Sequence, residues 1–180
     1  MNTLEAIRTR RSTRCYQQKP VEADKVEQLI LAANNAPKAG TIHISAVENK
    51  EALKSLNSAA KEAMLNSGNE FLVGRASLDG YEPLYGAPLL FMISAPQGAP
   101  YNVANASCAA ANITIAATDL GLGSCYVISP ILGAKAKPEL TAQMGVPENF
   151  EIVCGVLVGY AAGDAFATPK STVDNVNYCK

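Results

Sequence analysis

Tryptophan is absent from this chain of 180 residues, histidine occurs once, at His43, and only 17% of the residues are charged. A lone imidazole leaves little from which to build a zinc site or a Cys-His nucleophile. The five cysteines, Cys15, Cys108, Cys125, Cys154 and Cys179, form no C-x-x-C pair. An odd number in a core-rich chain does not read as a disulfide framework, so free thiols are expected. No apolar run approaches the roughly 20 residues of a membrane span, and no secretory pattern opens the chain; a cytoplasmic protein without a membrane partner is expected. A net charge of -1 and a pI near 5.9 argue against nucleic acid as a partner. With no repeat, low-complexity segment or linker, residues 1–180 read as a single domain.

Against this sparse background, four of the five arginines, Arg8, Arg10, Arg11 and Arg14, stand within residues 8–14, beside Ser12. Guanidinium forks next to a hydroxyl make a seat for a phosphate or carboxylate, because each fork offers two parallel donors to an oxyanion. Complementing the dipole of a short helix over 2–7 needs only two of them, at a few tenths to about 1 kcal/mol each. The fifth arginine, Arg75, lies in 69–86, a stretch without sustained period that carries Gly74, Gly80, Gly86, Tyr81, Tyr85 and Pro83. It reads as a long loop whose arginine is solvated, with reach toward a bound ligand as the alternative.

Elsewhere the periods are clear. Pro20, Glu22 and Asp24 open a helix whose Val26, Leu29, Ile30 and Ala33 recur at helical spacing up to Asn34. Residues 41–47 alternate as a short strand, with Ile42, Ile44 and Ala46 on one face and His43 on the other. Residues 51–65 return to helical period, and 88–94 form an apolar run suited to a strand covered on both faces. Residues 103–118 contain no charge and are rich in alanine, which predicts a fully buried spine helix. Gly121-Leu122-Gly123 follows this helix instead of opening one, so the dinucleotide fingerprint is absent. Residues 124–128 and 150–159 read as strands, 130–133 as a turn and 138–144 as a short helix. About four strands among helices give an α+β or α/β layer around the spine. Residues 161–180 are too polar for a core and are expected to lie on a partner.

Taken in order, Arg10-Arg11-Ser12-x-Arg14, the stretch 33–37, Asn105 to Asn112 followed by Gly121-Leu122-Gly123-Ser124-Cys125, and 150–160 resemble the FMN-dependent nitroreductase family. The resemblance implies an α+β three-layer fold with a central mixed sheet, and a homodimer with FMN at the subunit interface and tails, here 161–180, exchanged between subunits. It implies an NAD(P)H oxidoreductase that passes hydride from NADH or NADPH through flavin N5 to a nitroaromatic, quinone or similar small acceptor by ping-pong. No protein residue is then catalytic, because the flavin carries the chemistry. A storage or sensor protein without turnover, and a flavin oxidase or dehydrogenase of a small organic ring, are the alternative readings.

By the same resemblance, Arg10 and Ser12 hold the FMN phosphate or ribityl chain with support from Arg11, and Arg14 leans toward the pyrimidine edge. Pro37, Lys38, Ala39 and Thr41 cover the flavin from the second subunit; Leu132 and Gly133 belong to the turn facing N5; and Lys170 returns to the phosphate. No metal is implied. The chain departs from the family where Lys38 replaces a serine and Thr41-Ile42-His43-Ile44-Ser45 replaces an Asn-x-Gln-Pro-Trp pattern, and where Asn105 replaces an acid. Asn105 and Asn112 share one helix face and are expected to find buried partners.

Overall fold

The computed structural model describes residues 1–163 and 176–179. Four strands form one sheet in the order β1-β2-β4-β3, with β1 at His43–Val47, β2 at Leu89–Pro96, β3 at Gly123–Val127 and β4 at Phe150–Gly159. All three pairings are antiparallel. The mixed sheet expected above is therefore not found among the described residues; the parallel element is a single bridge between Ser12 and Ser124.

The two central strands alternate their side chains between two cores, as the pleat requires. Leu89, Phe91 and Ile93 of β2 and Cys154, Val156 and Val158 of β4 face α2 (Ala23–Asn34) and α5 (Asn102–Asp119). Leu90 and Met92 of β2 and Leu157 of β4 face α3 (Lys50–Leu65) and α7 (Glu139–Gln143). Helices thus cover both faces of the sheet, in an α+β sandwich of three layers.

The spine helix α5 is buried through Ala106, Ala109, Ala110, Ile113 and Ala117, but Val103, Ala104 and Ala111 are exposed. Burial all round is corrected accordingly: a helix lying on a flat sheet can cover only one side of itself. Asn105 and Asn112 do find partners, at Ala39 and at the Ala32 carbonyl. In β1 the two faces alternate as expected: Ile42 and Ile44 pack toward the α2 and α5 core and Val47 toward the opposite one, while Ala46 is exposed.

Two further corrections concern the layer that holds α3. Within 69–86, Asn69 caps α4 (Glu70–Ala76) by accepting the Leu72 N–H. At seven residues this helix is too short to repeat an apolar stripe. The expected turn at 130–133 lies inside α6 (Ser129–Ala136), where Pro130 occupies the first turn without costing a hydrogen bond. No helix among the described residues is long and apolar enough to cross a membrane.

Candidate functional site

Helix α1 (Thr3–Thr9) is capped by Asn2, whose side chain accepts the Glu5 N–H, and ends where the Arg10 N–H reaches the Ala6 carbonyl at 2.9 Å. The chain then runs along the free edge of β3. The Thr13 N–H donates to the Ser124 carbonyl at 2.8 Å, and farther on the Gln17 N–H donates to Tyr160 at 2.8 Å. Gly123 is needed for this approach, since a Cβ there would stand 2.5 Å from Thr13 Oγ1.

This docking separates the roles of the four clustered arginines. Arg11 Nη1 donates to the carbonyls of Arg8 and Arg10, both at 2.9 Å, so its guanidinium folds back onto its own turn, and its buried Nε has no partner. Arg10 and Arg14 make no ion pair with any described residue. They lie with Ser12 around the buried Cys125 thiol. Burial pushes that thiol up, against the opposing pull of Arg14, the Ser12 hydroxyl and Arg10. Two guanidiniums without a carboxylate partner among the described residues, Arg14 touching only the Ser12 carbonyl at 3.5 Å, and a hydroxyl beside them form a donor set suited to a phosphate.

Beside them opens a cavity of about 630 Å³, lined by Arg14 from the arginine segment, Met64 from α3, Phe71 and Arg75 from α4, Tyr81 and Tyr85 from the loop that follows, and Leu132 from α6. Its lining is mainly apolar and aromatic and its size suits a flat heteroaromatic ring system.

Of the residues singled out in sequence, Arg10, Ser12 and Arg14 gather at one place, and Arg14 and Leu132 share the cavity. Gly133 is buried against α3, where a Cβ would come within 2.8 Å of the Leu56 carbonyl. Pro37, Lys38, Ala39 and Thr41 do not line this cavity in the single chain. Two of them are tied to α2 and α5, across the sheet: Lys38 Nζ donates to the Asn34 carbonyl at 2.6 Å, and Ala39 pairs with Asn105. His43 packs edge-on against Phe150, with centroids 6.4 Å apart. Lys170 lies outside the described residues. Arg75 lines the cavity with its side chain partly covered and its charged end open to solvent. Nothing in its local sequence points there; α4 has to form before the side chain is aimed.

The sequence profile described as the nitroreductase family matches residues 7–160. The chain belongs to the nitroreductase family. A relative from Archaeoglobus fulgidus, provisionally named an NADH dehydrogenase/NAD(P)H nitroreductase, is 30% identical over 167 residues, covering 87% of this chain and 84% of that one. A nitroreductase of Bacteroides fragilis, solved with bound FMN, superposes with a TM-score of 0.89 at 29% identity, each chain covered in full. A Desulfitobacterium hafniense nitroreductase, also solved with FMN, gives a TM-score of 0.90 at 22% identity over the whole of both chains and so shares the fold. Within this nitroreductase-family chain, the match spans both the arginine segment and β4.

Proposed function

We propose that this nitroreductase-family chain is an FMN-dependent NAD(P)H oxidoreductase acting on small aromatic acceptors. The observation that carries the reading is the juxtaposition of two guanidiniums without carboxylate partners among the described residues and a largely apolar cavity of about 630 Å³. FMN has the matching shape, a dianionic phosphate at one end and a flat ring at the other. When bound, it supplies hydride transfer between a nicotinamide and an acceptor.

The chain's own residues then bind, orient and exclude water. Arg10 and Ser12 hold the phosphate, while Arg11, committed to the Arg8 and Arg10 carbonyls, shapes the turn that presents them. Arg14, at the cavity wall, places a fixed cation where negative charge develops on the pyrimidine edge, which favours reduction without a proton donor. Met64 and Leu132 keep that wall dry. Leu132, midway along α6, brings that helix to the cavity wall, and Gly133 beside it seats the helix on α3.

A homodimer completes the site. The exposed, chargeless side of α5 at Val103, Ala104 and Ala111 supplies an apolar face for a second copy. Pro37, Lys38, Ala39 and Thr41, which do not reach the cavity of their own chain, cover that of the partner. A crossing tail with Lys170 starts only after Ala161 and Ala162, which pair with Tyr16 and Cys15 of their own chain. Residues 1–180 act as one domain.

The test is an anaerobic absorbance spectrum of the purified protein, before and after NADH and then NADPH. Flavin bands that bleach with either are expected. Protein that stays colourless after incubation with FMN would end the flavin reading, and bound flavin bleached by neither nucleotide would leave a binding protein without turnover.

A further inference from the structure

We infer that Arg75, together with Tyr81 and Tyr85, selects aromatic acceptors that carry a carboxylate. The inference rests on the reading of the cavity as the flavin and acceptor site, and it concerns the wall formed by α4 and the loop after it.

Arg75 is in the last turn of α4, half-buried, with its guanidinium carbon 5.2 Å from the centroid of the Tyr81 ring. The Tyr81 and Tyr85 rings meet edge to face, 6.0 Å apart and at 85°. Tyr85 is held at φ +51°, a left-handed backbone that bulky side chains rarely adopt. Such a conformation persists only where the surroundings fix it, and here it sets the ring against its neighbour. The Tyr85 hydroxyl, and more weakly Tyr81, hold the Arg75 guanidinium above its ordinary range against the effect of burial.

No described carboxylate pairs with Arg75. A cation on the cavity wall, stacked near the Tyr81 ring and with no carboxylate partner among the described residues, offers a seat for an anion. Arg14 lines the same cavity from a different element. The cavity therefore has two cationic corners with aromatic and aliphatic surface between them. If Arg14 serves the flavin, Arg75 remains for the second ring, whose plane the tyrosines can meet and whose carboxylate the fork can bind with two parallel donors.

The probes are 4-nitrobenzoate and 4-nitrobenzamide, which differ in charge and hardly in shape. Their dissociation constants are measured by calorimetry on the purified full-length protein incubated with FMN, on Arg75→Gln and on Arg75→Lys, alongside kcat/KM for both at saturating NADH. Arg75→Gln is expected to weaken 4-nitrobenzoate about tenfold or more while leaving 4-nitrobenzamide within about twofold, and Arg75→Lys to fall between. Equal preference for the two probes in the wild type and in Arg75→Gln would overturn the inference. So would loss of flavin, or slower bleaching by NADH, as the main effect of Arg75→Gln, because either would assign the arginine to flavin or nicotinamide. Colourless protein that still binds 4-nitrobenzoate through Arg75 would defeat the flavin reading alone and leave the anion seat standing.

Discussion

Asn105 holds both polar backbone groups of Ala39: its Oδ1 accepts the Ala39 N–H at 2.9 Å and its Nδ2 donates to the Ala39 carbonyl at 3.2 Å. One buried side chain of α5 thereby fixes the turn at 37–41. Asn105→Leu is expected to cost about 1–2 kcal/mol, since solvent can reach Ala39 and soften the loss, and to lower the melting temperature by about 2–8 °C. Asn105→Asp keeps the acceptor but sets a carboxylate against the carbonyl, and is expected to be no milder. Thermal unfolding of the two variants checks this, and an unchanged Tm in both would remove the pair from the account of the turn.

Gly133 allows α6 to touch α3, where an added Cβ would lie 2.8 Å from the Leu56 carbonyl and 3.0 Å from the Ala60 nitrogen. Backbone atoms cannot swing aside as a side chain can, so the helices must part. Gly133→Ala is expected to destabilise the fold by about 1–3 kcal/mol, read as a lower urea midpoint at unchanged slope. Because Leu132 lines the cavity, flavin release should accelerate as well.

Arg10 has no carboxylate partner among the described residues. Arg10→Ala therefore breaks no internal ion pair, and is expected to leave the melting temperature of the flavin-free protein nearly unchanged while weakening FMN by about 1.5–3 kcal/mol. Titration of FMN fluorescence decides the matter, and unchanged affinity would move the phosphate elsewhere.

Glu22 sets a pH dependence whose sign is fixed. The Tyr160 hydroxyl donates to its carboxylate at 2.7 Å, and Lys19 lies 3.1 Å away. Foremost the Tyr160 hydrogen bond, then a backbone hydrogen bond and that of Lys19, bring its pKa down from 4.5 to about 2. A depressed carboxylate pKa adds stability above the unfolded value and loses it as pH falls through the folded one. The difference in melting temperature between wild type and Glu22→Gln should thus be level above about pH 5 and shrink to nothing toward pH 2. Glu22 is exposed, so added salt should reduce it throughout.

Much of this was legible in sequence wherever a local period or a local chemistry decides. The run at 88–94 became a strand covered on both faces because every residue from Leu89 to Ala95 is apolar or small. The arginine segment drew attention in sequence because guanidiniums have few reasons to cluster, and the structure does bring Arg10, Ser12 and Arg14 to the neighbourhood of one thiol. What stayed hidden depends on tertiary contact. The direction of Arg75 depends on α4, seven residues whose cap is visible in Asn69 but whose packing is not. The exposed side of α5 follows from the flatness of the sheet beneath it, and the division of labour between Arg10 and Arg11 follows from a turn that brings the Arg8 and Arg10 carbonyls within reach of one side chain.

The pairing of β2 with β4 also governs how the chain is made. Residues 97–149 separate the two strands, so the most apolar strand of the sheet leaves the ribosome with β1 on one side and nothing on the other. Its inner edge stays open for the whole time that α5, β3, α6 and α7 are being synthesised. Open apolar edges recruit other strands, and long-range pairing is slow to form. Production of this protein should therefore be limited by nascent-chain aggregation more than by stability of the finished fold, and slower translation alone will not relieve it, whereas a chaperone that covers extended apolar segments will.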